Sequence, residues 1–157
     1  MAVDITTGSH IVSFPSKVAS MMGQYSHVYN LVLSANADNG TLAGRGDYVS
    51  FDNYEADSVP EGFTARVNEK AANGNWYVEV TGLPSTGEVL YVYNSPVSPY
   101  GEKVLQDESL FYNAAGDVVQ GAVLTIGDVF EVSTAGFTGT PAANASLTYA
   151  SGKYVVG

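Results

Sequence analysis

The stretch Phe111 to Ser133, FYNAAGDVVQGAVLTIGDVFEVS, constrains the fold more than any other part of the chain. Ala114-Ala115-Gly116-Asp117 supplies a tight reversal, because glycine tolerates positive φ and the aspartate carboxylate bonds its own backbone. Beyond it, Ala122, Leu124 and Ile126 alternate with Val123 and Thr125, the period of a strand. Gly127-Asp128 makes a corner, after which Phe130 and Val132 continue the apolar side while Glu131 and Ser133 face away. A chain that turns and alternates at this spacing folds as sheet. No residue in the stretch belongs to a catalytic pattern.

The same grammar recurs upstream and downstream. Tyr25 to Leu33 reads as a strand, and Asp38-Asn39-Gly40 carries the Asn-Gly hairpin signal. Gly46-Asp47 leads as a corner into Tyr48 to Asn53, where Val49 and Phe51 share one face. Phe63, Ala65 and Val67 alternate with polar residues; so do Trp76, Val78 and Val80 after Asn73-Gly74-Asn75, which predicts a hairpin. Val89 to Tyr93 is another strand, Ser95 to Glu102 a proline-stiffened loop, and Thr134 to Asn144 an irregular segment. Ser146 to Val156 closes with a hairpin around Ser151-Gly152.

Frequent strand signals without helical periodicity predict an all-β fold, a compact β-sandwich or barrel of short antiparallel strands with an extended N-terminal arm. The arm is placed at residues 1–23 and the β domain at 24–157. Ala2 to Ser9 is small and polar and has no core face, so the arm is expected to order against a partner. Pro15 interrupts a short strand at His10 to Phe14, and Ser16 to Met22 has room for one helical turn capped by Ser16.

Charge narrows the partners. The formal net charge is −10 and only 6 residues are Lys or Arg, so neither nucleic acid nor an anionic membrane surface is an expected partner. Cysteine is absent, which removes disulfides and thiolate metal sites. The first residues lack a basic leader followed by an apolar core, so no signal peptide is expected and synthesis is placed in a cytoplasm.

Several short patterns have bland readings. Arg45-Gly46-Asp47 spells an adhesion tripeptide but also fits a corner before a strand. Asn39-Gly-Thr41 and Asn144-Ala-Ser146 match the glycosylation sequon and read as chance matches. His10 and His27 are the only histidines and lie far apart, and no sequence signal pairs two of the sixteen carboxylates. No enzyme, cofactor or metal site is expected. The 11 tyrosines are more informative: Tyr48, Tyr77 and Tyr91 are candidate interface aromatics, with Tyr93 as the alternative outward residue on its strand. Cross-strand pairing on a solvated sheet explains the same residues equally well.

Asn94-Ser-Pro-Val-Ser-Pro-Tyr-Gly-Glu102, Leu110-Phe-Tyr-Asn-Ala-Ala-Gly-Asp-Val-Val-Gln-Gly121 and Leu124-Thr-Ile-Gly-Asp-Val-Phe-Glu-Val-Ser133 together resemble the capsid decoration or cement proteins of tailed bacteriophages. Asp38 to Leu42 fits the early turn of that pattern; Gln120 departs from it, standing where a basic residue is expected. The resemblance implies a non-enzymatic virion structural protein on the capsid exterior, made in the host cytoplasm. Its partner would be the major capsid protein, and a homo-oligomer, such as a trimer, would suit a local symmetry axis. On this reading the arm is the capsid-binding element, through Ala2, Val3, Asp4, Ile5, His10, Ile11, Val12 and Phe14. A glycan- or surface-binding β module, or another virion part such as a tail or head-fibre component, is the alternative.

Overall fold

Two β structures share one wall. The computed structural model describes residues 2–3, 10–13, 27–51, 53–94 and 108–157. In chain order the first strands are β1 (Ala2–Val3), β2 (Val28–Val32), β3 (Leu42–Ser50), β4 (Asn53–Asp57), β5 (Thr64–Lys70) and β6 (Trp76–Gly82). They are followed by β7 (Leu90–Tyr93), β8 (Phe111–Tyr112), β9 (Val118–Val123), β10 (Val129–Val132), β11 (Phe137–Thr138), β12 (Ser146–Ala150) and β13 (Lys153–Val156). Five of them close a barrel in the order β2-β4-β3-β7-β9, and six form an open sheet in the order β10-β6-β5-β12-β13-β11. The all-β expectation holds, with barrel and sheet both present. The helical turn expected at Ser16 to Met22 and the loop at Ser95 to Glu102 lie outside the described residues.

Alternation explains the shared wall. On β7, Leu90 and Val92 point into the barrel with Leu31, Leu33, Ala43 and Val119. Their neighbours Val89 and Tyr91 point the other way, into a larger core with Phe63, Val67, Val78, Phe130, Leu147 and Tyr154. β3 and β9 divide their side chains likewise: Ala43 and Val119 go inward, Leu42 and Ala122 outward onto the sheet. Strands buried on both faces read as continuous apolar runs, and Val89-Leu-Tyr-Val92 is one.

Local chemistry sets the turns. Ser151 and Gly152 have φ of 52° and 77°, and join β12 to β13 as the hairpin requires. At the Gly127-Asp128 corner, Asp128 accepts from the Thr125 amide at 2.8 Å and from its hydroxyl at 3.0 Å. Here the chain leaves the barrel after β9 and enters the sheet at β10. Ile126, expected on the apolar side, rides on this corner and is 59% exposed. Glu131 does face away from the core of Phe130 and Val132, yet it is buried, taking amide hydrogens from Asn73 at 2.6 Å and Asn75 at 2.8 Å.

Three other expectations change. The Asn39-Gly40 turn forms, but the strands flanking it do not pair with each other: β2 runs parallel to β4 and antiparallel to β9, while β3 pairs with β4 and β7. Gly46-Asp47 lies within β3, at a register irregularity against β4, and not at a corner. Phe137 and Thr138, expected in an irregular segment, pair parallel with Tyr154 and Val155.

Gly121 is the tightest point of the barrel interior, since a Cβ there would stand 2.7 Å from Leu31 Cδ1 and 3.3 Å from Leu90 Cβ. Gly121→Ala is expected to lower stability by about 1–3 kcal/mol, read as a lower urea midpoint. An unchanged midpoint would mean that the barrel has room to spare.

The larger core is held by phenols as well as by apolar packing. Tyr154 donates to the Gly40 carbonyl at 2.8 Å, and the buried Tyr91 hydroxyl bonds the Ser13 hydroxyl. Burial pushes both phenols up from their ordinary value of 10.0, with the Ser13 bond opposing the shift at Tyr91. Unfolded tyrosines ionise first, so this stability is complete below pH 10.0 and is lost as pH rises above it. The expected result is a urea midpoint that falls only in that alkaline range, with tyrosinate absorbance rising on unfolding. A midpoint flat through it would contradict the phenol core.

Candidate functional site

Among the described residues, one end of the barrel carries exposed apolar side chains. Phe51 is 92% exposed, Tyr48 59%, Val28 50% and Val49 48%. The pairing of Asn30 with Asn53, Tyr48 with Tyr54 and Ser50 with Asn53 brings the start of β2 and the β3–β4 turn to this end. Phe51 holds a φ of 50°, a conformation disfavoured for a bulky residue, while its ring contributes nothing to either core. A strained aromatic facing solvent does not serve packing; features of this kind cluster at functional sites.

Behind the patch stands a rigid rack of rings. His27 packs on Tyr29 at 4.3 Å, Tyr29 meets Tyr54 edge-on at 5.3 Å, and Tyr54 meets Tyr48 at 5.6 Å. The Arg45 guanidinium lies 4.6 Å from the Tyr29 ring centre and 5.2 Å from that of Tyr54, with Glu88 at 3.9 Å. Each such cation–ring contact is worth about 0.5–1 kcal/mol at an exposed site. Arg45 is therefore a strut of the rack. The Arg-Gly-Asp tripeptide lies within β3 and is not displayed on a loop.

The residues expected in a capsid-binding arm fall elsewhere. Ala2 and Val3 pair antiparallel with Tyr112 and Phe111 of their own chain. The His10 amide donates to the Ser109 carbonyl, its Nδ1 lies 2.6 Å from Asp38 Oδ1, and its ring stacks on Tyr112 at 5.1 Å. Ile11 is buried in the larger core, and its amide donates to Asp38 Oδ2 at 3.0 Å. Val12 exchanges bonds with Ser133, giving its amide hydrogen to the Ser133 hydroxyl and accepting from the Ser133 amide. Residues 10–13 thus belong to the β domain. His10, Ile11 and Val12 are corrected from partner contacts to internal ones: His10 and Ile11 bond Asp38, and Val12 with Ser13 lies along the edge of β10 in the same chain. Asp4, Ile5 and Phe14 lie outside the described residues.

Of the three interface aromatics, Tyr48 is on the exposed patch and Tyr77 is half-buried on β6. Tyr91 is 1% exposed and is corrected to a core residue, because β7 is covered on both faces. The feature missed in the sequence is Phe51. Its alternation with Val49 is that of a buried strand, and only the turn after Ser50 turns it outward.

A cleft of about 740 Å³ runs between barrel and sheet, lined by His10, Asp38, Ser58, Tyr112, Tyr149 and Lys153 among others. Its best-placed polar groups are already used internally: Asp38 holds His10 and the Ile11 amide, and the Tyr149 hydroxyl accepts from Leu42 at 2.9 Å. Among the described residues no group of three or more His, Asp or Glu is placed to hold a metal ion. The cleft is a seam between the two structures, and the exposed patch is the candidate site.

Comparisons with protein-family models, with curated proteins and with solved structures give no match to the chain.

The two N-terminal assignments separate by mutation. Ile11→Ala is expected to cost about 2–5 kcal/mol in urea unfolding, as a core truncation does. Phe51→Ser should leave stability within about 0.5 kcal/mol, as a surface change does. The reverse ranking would exchange the two roles.

Proposed function

We propose that this chain is a non-enzymatic virion structural protein of the capsid decoration or cement kind. It binds the outer surface of an assembled phage head and stabilises contacts between major capsid protein subunits. The observation that carries this reading is Phe51, an aromatic side chain 92% exposed on a turn braced by a closed barrel. Aromatic anchors presented on rigid elements supply most of the energy of protein interfaces when they enter a pocket on the partner. Tyr48, Val49 and Val28 are exposed at the same end of the barrel and add apolar area there.

The charge supports an exterior position. At a net charge of −10 the protein is repelled by the packaged genome and remains soluble until it docks. Repeated docking sites on a shell turn a modest contact into a strong constraint, because several copies bridge neighbouring subunits. A trimer about a local symmetry axis fits this role. The segments whose pattern resembles decoration proteins, from Leu110 to Ser133, include β8, which pairs with β1, together with β9 in the barrel and β10 in the sheet. The Arg45–tyrosine rack favours the second reading, a glycan- or surface-binding module, because aromatic rings beside a cation and the Glu88 carboxylate suit a sugar.

The test is sedimentation of undecorated heads with the wild-type chain and with Phe51→Ser. Wild type is expected to saturate at a fixed ratio to the major subunit, and Phe51→Ser to bind at least about tenfold more weakly, the loss of one hot-spot residue. Wild-type protein that leaves heads bare but is retained by immobilised glycans would overturn the capsid reading in favour of the second. Equal binding by Phe51→Ser would move the docking face elsewhere.

A further inference from the structure

The chain has two Asn-Gly pairs in which the glycine nitrogen has minimal steric cover, Asn39-Gly40 and Asn73-Gly74. This dipeptide is the one most prone to lose its amide, since the absence of a side chain on the following residue lets its backbone nitrogen reach the asparagine side-chain carbon. The two pairs sit in opposite surroundings.

Asn39 is locked. It is 9% exposed; its amide donates to the Asn94 carbonyl at 2.9 Å, and its oxygen accepts from the Asn94 amide at 3.0 Å and from Asn113 at 2.9 Å. The Gly40 nitrogen, the would-be nucleophile, is bonded to the Val92 carbonyl at 2.9 Å. A Cβ at Gly40 would stand 2.7 Å from Ser13 Cβ, so the surroundings are packed as well. Bringing Asn39 into reactive geometry means opening the end of β7 and the core beneath it.

Asn73 is exposed on the turn between β5 and β6, and apart from its chain neighbours nothing lies within 4 Å of where a Cβ on Gly74 would stand. One turn bond, from the Gly74 amide to the Ala71 carbonyl at 3.0 Å, occupies the nucleophile. The asparagine side chain itself bonds Glu131 Oε1 at 2.6 Å and the Asn75 amide at 3.1 Å. Opening this turn disturbs neither core, and turns open locally at far less cost than core strands.

We infer that Asn73 is a spontaneous modification site whose product disturbs the buried Glu131, while Asn39 is protected by the fold. The Gly74 nitrogen gives its proton to solvent base and attacks Asn73 Cγ. The carbon–nitrogen bond of the side-chain amide breaks, ammonia leaves with a proton from solvent, and a five-membered imide remains. Water then adds to either imide carbonyl, and the ring opens to aspartate or to isoaspartate. No oxidant or reductant is involved. In the aspartate product, an acceptor-only carboxylate replaces the amide donor facing Glu131. Two carboxylates then share the space where a donor met an acceptor, at a residue whose backbone pairs with Tyr77 across β10 and β6. The isoaspartate product adds a backbone carbon to the turn and disturbs the hairpin directly.

The experiment holds the full chain in mildly alkaline buffer at physiological temperature and follows amide loss by peptide mapping and mass spectrometry. In the native protein, conversion at Asn73 is expected to exceed that at Asn39 on the order of tenfold or more, and the two rates are expected to converge in denaturant. Equal native rates, faster loss at Asn39, or a native Asn73 that never converts would overturn the assignment. The consequence is tested separately with Asn73→Asp. It should lower the melting temperature, and the drop should shrink in a Glu131→Gln background. An equal drop in both backgrounds would show that Glu131 does not sense the new charge.

Discussion

The structure depends on a wall of strands buried on both faces. β7 stands between the barrel interior and the larger core, so each of its side chains must be apolar or have its polar atom bonded. Tyr91 meets that demand through the Ser13 hydroxyl, which in turn donates to the Glu131 carbonyl at 2.6 Å. One buried hydrogen-bonded chain therefore joins residues near the N-terminus to β7 and to β10. This is why residues 10–13 cannot be peeled off as an arm without opening the core: Ile11 and Ser13 fill and satisfy it.

The same constraint bears on the docking face proposed above. β3, β7 and β9 are occupied by the sheet, and the edge of β10 is bridged at Val132 by Ser13. Among the described residues, β3 runs on from its buried start at Leu42 to an exposed end at Tyr48 and Val49, at the far end of the barrel. The rack of Tyr29, Tyr54 and Arg45 stiffens this end, so Phe51 is presented on a preorganised surface. On the proposed reading, docking through such a surface would lose less ordering entropy than docking through a flexible segment.

The fold was legible wherever period and turn chemistry agreed. The Phe63–Val67 and Trp76–Val80 hairpin, the final hairpin at Ser151-Gly152 and the Gly127-Asp128 corner all follow from residues within a few positions of one another. What escaped is non-local. Asn39-Gly40 makes its turn, but pairing of β2 with β4 and β9 is set by closure of the barrel, and no dipeptide encodes closure. Tyr91 and Phe51 show the same limit at the level of the site. Both read as members of alternating strands, and which side of such a stretch is covered depends on the sheet that comes to lie against it. Glu131 read as solvated because its partners, Asn73 and Asn75, lie more than fifty residues away along the chain.

The most direct measurement places a photoreactive phenylalanine analogue at position 51, irradiates decorated heads and identifies the joined peptides. The account predicts crosslinks from residue 51 to one surface segment of the major capsid protein. Crosslinks confined to the chain itself, on heads that carry a full complement of it, would show that the exposed end of the barrel is not the docking face.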